Sequence, residues 1–319
     1  MIESASAHQP CTERSERNES LVRKVIEIDT IPFPYTVGGE GPPVLLLHLP
    51  VNPMHVYVKT MPALAQHFRI YTVDLRAAVA FWYYEGHSSL LSYLTEYLSK
   101  FLDRMELQVV DIVASFMGSG VTMSFAVVHP ERVRRLVLIS ALGLTTRPRT
   151  SIFALIFSLM NLPGMRFLFH IFMSSMWFQR KILSFDQKVF GPSRVREFFY
   201  GIPEEGIDYH LLHLYDGLAD PPNPFAFETF INVIQHLRYG EIRHLIPTIE
   251  HDTLLLFGEE DILIPPKVAR QYQMAIANSQ LHFVPNARVF LHFEAADEVN
   301  RRIIEFLSPL KSECDRRTT

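Results

Sequence analysis

Acyl transfer without a metal needs three kinds of side chain in line. A hydroxyl attacks, an imidazole takes its proton, and a carboxylate orients the imidazole. The stretch of this chain that best presents an attacking group is Val109-Val110-Asp111-Ile112-Val113-Ala114-Ser115-Phe116-Met117-Gly118-Ser119-Gly120. It reads as a buried strand that stops abruptly, a tight turn, and the first turn of a helix, a geometry that lifts the apex residue out of a sheet. Strand and helix pass so closely in such a turn that the residues two before and two after the apex must be small. Ala114 and Gly118 meet that requirement, so the apex falls on Phe116. A register one residue earlier would make Ser115 the apex, flanked by the bulkier Val113 and Met117. Ser115 is therefore read as a strand-end hydroxyl, and the apex has no lone pair to offer.

Other polar groups carry less. Asp261 follows the apolar run 253–258. If buried without a cation it would have a raised pKa and act alone as a base, although a structural hydrogen-bonding role is the plainer reading. Tyr83, Tyr84, Glu85 and His87 cluster in one stretch that reads as a solvated loop, with a place at the pocket mouth as the sharper alternative. No His/Cys/Asp/Glu spacing suggests a metal, and no Gly-rich loop follows a strand in a phosphate-binding arrangement. No cofactor is implied.

The elements that must position these groups alternate strand and helix. Alternating side chains predict strands over 25–29 and 34–37, the second closed by the turn signal Gly38-Gly39-Glu40-Gly41-Pro42-Pro43. Continuous apolar runs over 44–48, 69–74, 109–113, 136–140, 253–258 and 281–284 suit strands covered on both faces. Helical spacing appears over 88–105, 121–128, 266–276 and 296–307. This alternation predicts an α/β, doubly wound, mostly parallel eight-stranded sheet with right-handed crossovers and the two leading strands as an antiparallel edge.

The alternation is interrupted between strands six and seven. Residues 143–240 are read as a helical cap, with 25–142 and 241–309 forming the core, 1–24 a disordered tail and 310–319 a second tail. The cap opens with a Phe/Met/Leu/Ile-rich tract over 151–178. Asn161, Pro163-Gly164, Arg166 and His170 break it, and its apolar run is far shorter than the roughly 20 residues a span requires. Two short helices roofing a pocket are expected there, with contact to a membrane surface through the cap as the sharper alternative.

Composition bounds the partners. The chain of 319 residues is 48% hydrophobic and 20% charged, enough to bury a large core. A net charge of −4 and the lack of any Lys/Arg run argue against nucleic acid. The two cysteines, Cys11 and Cys314, form no disulfide framework, so a reduced, cytoplasmic setting is the expectation. The first 24 residues hold no apolar core of a secretory signal.

From residue 25 to residue 307 the chain resembles the α/β-hydrolase fold superfamily, in its cap-bearing, epoxide-hydrolase/haloperoxidase-like branch. The segments carrying the resemblance are Gly39 through His48, Val73-Asp74-Leu75-Arg76, His129-Pro130-Glu131-Arg132-Val133, Leu256-Phe257-Gly258-Glu259-Glu260-Asp261, and His292-Phe293-Glu294. The resemblance implies Phe116 at the nucleophile position and Val289, three residues before His292, at the catalytic histidine position. It also implies Leu49 in place of an oxyanion-loop glycine, Ala77-Ala78-Val79-Ala80 in place of a Gly-rich turn, His48 as a support of the loop, and Asp261 as the surviving acid.

On that basis the chain is expected to lack an intact triad and to hold an apolar pocket lined by Leu49, Phe116, Met117, Ala141 and Val289, with Tyr83 and Tyr84 near its mouth. The expected occupant is a hydrophobic small molecule, bound by shape. The leading expectation is a non-hydrolytic enzyme of cyclase, isomerase or lyase type in specialised metabolism, and the second a non-catalytic pseudohydrolase that binds a ligand or partner. A third reading is a hydrolase with relocated residues, which requires Ser115 or another hydroxyl within hydrogen-bond reach of a histidine. If the elbow is preserved, Phe116 holds a positive φ and its ring floors the pocket.

Overall fold

Period-two alternation in the apolar runs builds two cores from the same strands. Leu45 and Leu47 face one side of the sheet, Val44 and Leu46 the other, and all four are fully buried. The computed structural model describes residues 21–49, 56–75, 78–79, 81–82, 86, 89–144, 239–261, 264–288 and 291–308. Most of the expected cap and of the first tail, the second tail, Tyr83, Tyr84 and Val289 lie outside them, as does the side chain of Leu49.

The strands are β1 (Val22–Ile28), β2 (Ile31–Gly38), β3 (Pro43–Leu49), β4 (Arg69–Val73), β5 (Val110–Phe116), β6 (Val133–Ile139), β7 (Thr253–Gly258) and β8 (Ser279–Val284). They form one eight-stranded sheet in the order β1-β2-β4-β3-β5-β6-β7-β8. The β1–β2 and β2–β4 pairs are antiparallel and the other five are parallel, as the sequence predicts. β1 starts inside the expected tail, because Val22 to Lys24 pair with Tyr35 to Val37.

Among the described residues the α-helices are α1 (Thr60–Ala65), α2 (Leu90–Arg104), α3 (Gly118–Val128), α4 (Tyr239–Leu245), α5 (Pro266–Ala275), α6 (Leu291–Glu294) and α7 (Ala296–Leu307). Ser89 caps α2, its side chain accepting from the backbone N–H of Ser92. Leu94, Leu98 and Phe101 of α2, Val121 and Phe125 of α3 and Tyr272 of α5 share a core with Leu45, Leu47, Ala114 and Leu138. On the opposite face, Met61 and Leu64 of α1 and Val299, Ile303 and Leu307 of α7 pack on Val44, Leu46, Val113 and Val137. Among the described residues no helix is long and apolar enough to cross a membrane.

Two contacts fix the centre of the sheet. Arg134 donates from Nε and Nη2 to the carboxylate of the buried Asp111, tying the start of β6 to that of β5. At the other end α3 begins two residues after β5 ends, and Gly118 runs directly against β3. A Cβ on Gly118 would stand 2.9 Å from the Leu47 carbonyl oxygen and 3.0 Å from His48 Cα. Backbone cannot move aside there as a flexible side chain would. Gly118→Ala is therefore expected to destabilise the protein by about 1–3 kcal/mol, measured as a lower urea midpoint at unchanged slope.

Candidate active site

The elbow has the register read from the sequence. Phe116 closes β5 with φ 52, a left-handed conformation that costs a non-glycine residue about 1–2 kcal/mol. Surrounding bonds hold it there. The Phe116 carbonyl accepts from the N–H of Leu142, and Ser119 Oγ donates to the Ala114 carbonyl across the turn. Ala114 is fully buried at one flank, and Gly118 at the other has no room for a side chain. The Phe116 ring is partly buried and lies nearly parallel to the His48 ring, with centroids 6.4 Å apart and planes 19° apart. Met117 and Ala141 are fully buried in the core cluster against which Phe116 packs.

One residue before the apex, strand alternation turns Ser115 to the other side of β5. There it meets His48 from the end of β3 and Tyr57 from the turn before α1. Ser115 Oγ lies 2.6 Å from His48 Nδ1. The Tyr57 hydroxyl lies 3.0 Å from Ser115 Oγ and 2.9 Å from the Leu47 carbonyl oxygen. His292 on α6 completes the group, its ring centroid 5.3 Å from that of Tyr57 and 6.4 Å from that of His48. All four side chains are buried.

Burial sets the charge state of this cluster. It pushes the His48 imidazole well below its ordinary pKa of 6.5, with the nearby His292 adding to the effect. Burial likewise lowers His292 to about 3 and raises the Tyr57 phenol, against the opposing effect of its bond to Ser115. At neutral pH the site is an uncharged set of one serine, one protonated tyrosine and two neutral imidazoles. With its Nδ1 bare, a neutral imidazole at 2.6 Å from a hydroxyl has the geometry of a general base; with Nδ1 protonated it donates to that hydroxyl instead.

Asp261 is also buried, at the start of the loop after β7. Its Oδ1 accepts from the backbone N–H of Ile264, and its Oδ2 from Ser140 Oγ at 3.3 Å. Ser140, at the end of β6, is itself left-handed with φ 42. These bonds join Asp261 to the end of β6 and to its own loop. Among the described residues no group of three or more His, Cys, Asp or Glu side chains could hold a metal ion. A surface groove of about 480 Å³ between α2 and α3 is lined by Ser92, Thr95, Lys100, Ser124 and His129 among others, none of which belongs to the elbow or the serine cluster.

Read from the sequence, Ser115 and His48 have only supporting roles and Tyr57 carries no signal of its own. The same reading places His292 away from any base position, yet α6 brings the ring into contact with the cluster. A tyrosine at the head of a short helix says nothing of its partners until the sheet order places β3 beside β5.

Comparison with known proteins fits this architecture. The chain is 24% identical over 277 residues to 2-hydroxy-6-oxo-2,4-heptadienoate hydrolase of Pseudomonas putida, covering 85% of this chain and 90% of that protein. Among solved structures it is similar to 2-hydroxy-6-oxo-6-phenylhexa-2,4-dienoate hydrolase of Rhodococcus sp. strain RHA1, with a TM-score of 0.64, 17% identity, and coverage of 90% of this chain and 99% of that one. A bromoperoxidase of Bacillus anthracis gives a TM-score of 0.64 at 20% identity, with coverage of 90% and 99%. No protein-family model matches. The protein has the α/β-hydrolase fold, an eight-stranded, mostly parallel sheet flanked by helices.

These relatives correct the functional expectation. The leading reading, a cyclase, isomerase or lyase, and the non-catalytic pseudohydrolase beside it rested on Phe116 at the nucleophile position, Val289 at the histidine position, Leu49 in the oxyanion loop and Ala77-Ala78-Val79-Ala80 in place of the Gly-rich turn. A curated relative that spans most of the chain is named a hydrolase, and a hydroxyl stands within hydrogen-bond reach of a histidine one residue from the elbow. The replaced motif positions were too narrow a basis for excluding hydrolysis.

Two neutral, buried imidazoles make stability depend on pH in a fixed direction. Above about pH 6.5 His48 and His292 are neutral in folded and unfolded chains alike. As pH falls below that value the unfolded chain takes up protons that the folded one refuses. Stability is therefore lost by up to about 1.4 kcal/mol per pH unit for each histidine. His292→Gln is expected to flatten the fall in urea-unfolding free energy between pH 7 and pH 5. An unchanged slope in that variant would contradict the assignment.

Proposed function

We propose that this protein is a hydrolase whose nucleophile is Ser115 and whose general base is His48. The observation that carries the reading is the 2.6 Å contact between Ser115 Oγ and His48 Nδ1, beside an elbow whose own apex is a phenylalanine. The hydrolase names of the relatives support it. The proposed substrate class follows theirs, a small, largely apolar oxo acid such as a 2-hydroxy-6-oxo-dienoate.

In the proposed reaction Ser115 Oγ bonds to the oxo carbon while its proton passes to His48 Nδ1. The bond from that carbon to the leaving group breaks, and the leaving group takes the proton from His48. Water then adds to the acyl carbon, giving a proton to His48. The ester bond to Ser115 breaks, the proton returns to Ser115 Oγ, and the carboxylic acid departs. Depressed basicity of His48 keeps the ring neutral, and so able to accept, throughout the neutral pH range.

The test is labelling of the full chain by a fluorophosphonate, read by intact mass and peptide mapping, together with release of acid from a 2-hydroxy-6-oxo-dienoate. One adduct on Ser115 is expected. Ser115→Ala should remove both the adduct and the hydrolysis, and His48→Gln should slow hydrolysis by about a hundredfold or more, with both variants still melting cooperatively. Hydrolysis that survives in Ser115→Ala would reject Ser115 as nucleophile, and an unlabelled, inactive wild type would reject the reading altogether.

A further inference from the structure

The first strand ends the sheet. β1 bonds to β2 on one side, and among the described residues no strand lies on its other side. The register shows which of its backbone groups face outward. The Pro34 carbonyl accepts from the N–H of Asp74 beside β4, so it points away from β1, and Pro34 lies opposite Val25. Opposed residues of an antiparallel ladder either bond each other or both face away. Val25 therefore turns its N–H and C=O to the open edge, as do Arg23 and Glu27 two residues to either side. The connecting turn agrees. Asp29 and Thr30 have positive φ, 49 and 68, the pattern of a tight hairpin that closes on a bonded Ile28–Ile31 pair. The side chains of Arg23, Val25 and Glu27 are exposed, Val25 by 63%. Those of Ile26 and Ile28, on the opposite face, pack on the α2 core. A row of outward backbone groups beside an exposed valine is a template for another strand.

We propose that a second copy of this chain docks on that edge, the two β1 strands pairing antiparallel about a two-fold axis at Val25. The order of charges along β1 selects this arrangement. With the axis at Val25, Arg23 of each copy lies opposite Glu27 of the other, and two ion pairs flank a Val25–Val25 contact. Arg23, Val25 and Glu27 are also the residues whose backbone groups face outward, so charge and main-chain hydrogen bonding ask for one register. On the other face Val22, 43% exposed, comes opposite Ile28. Neighbouring registers are poorer. An axis at Lys24 sets two lysines face to face. An axis at Ile26 sets Val25 against Glu27, and Arg23 against Asp29, which Lys100 already pairs. Charges on an edge strand ordinarily block pairing. Here a basic residue followed by an acidic one complements its own inverted copy. The contact is isologous and closes at two chains, joining two eight-stranded sheets into one.

The test is sedimentation equilibrium of the full chain over a range of concentrations, in the wild type and in charge-swap variants. The wild type is expected to form dimers. Arg23→Glu sets acid against acid at both flanking positions, and Glu27→Arg sets base against base. Each alone should raise the dimer dissociation constant about tenfold or more. The double variant Arg23→Glu/Glu27→Arg restores both pairs and should dimerise like the wild type. The two single variants, mixed, should form a heterodimer, because each supplies the charge the other lacks. All these side chains are exposed, so the swaps should melt as the wild type does. Val25→Pro removes an N–H that faces outward, a position where an edge strand tolerates proline, and should leave a folded monomer. A wild type that stays monomeric at every concentration would overturn the inference. So would a dimer that the single swaps leave unchanged, or single variants that fail to pair on mixing.

Discussion

The structure around the site depends on the close approach of the β5–α3 turn to β3. Gly118 lies on the Leu47–His48 backbone with no space for a side chain, and that contact forces β5 to turn within a single left-handed residue. The turn separates two consecutive side chains. Phe116 goes outward to the apolar side, stacked on His48, and Ser115 goes inward to the opposite face, where His48 Nδ1 meets its hydroxyl. A wider turn would let both side chains relax and break the serine–histidine contact. The strain at Phe116 is thus coupled to the geometry of Ser115.

Electrostatics follow from that packing. Four polar side chains are enclosed between strand ends and two short helices, and none is charged at neutral pH. Keeping the imidazoles neutral costs stability in acid and keeps a ring nitrogen available for a proton at pH 7. Those are two consequences of one cause, the exclusion of water. Asp261 serves the neighbouring end of the sheet, where it bonds the left-handed Ser140 and the backbone of Ile264.

The sheet was legible in the sequence because each central strand is an apolar run bounded by turn residues, and both cores follow from two-residue alternation. The ends of the outer strands were less so. β1 is largely exposed, so its first residues carry no hydrophobic signal, and β2 begins in Ile31-Pro32-Phe33-Pro34, where two prolines hide a strand whose Ile31 and Phe33 are buried. The elbow register was legible from the small residues alone. The cluster behind it was not, because its members come from four segments, and only the sheet order and the backs of α1 and α6 bring them together. Reading the replaced apex, histidine and oxyanion-loop positions as the whole site led to the expectation of a non-hydrolytic protein. Strand alternation already implied that Ser115 points somewhere definite, and its destination is what a linear motif leaves out.

The central claim is that the hydroxyl of Ser115 gives its proton to His48. The position of the proton on the His48 ring tests it most directly, and nitrogen-15 NMR of the histidine rings, assigned with a His48→Gln variant, reads that position. The account predicts a neutral His48 protonated on Nε2 with Nδ1 bare and hydrogen-bonded at pH 7. A neutral ring protonated on Nδ1, donating to Ser115, would contradict it.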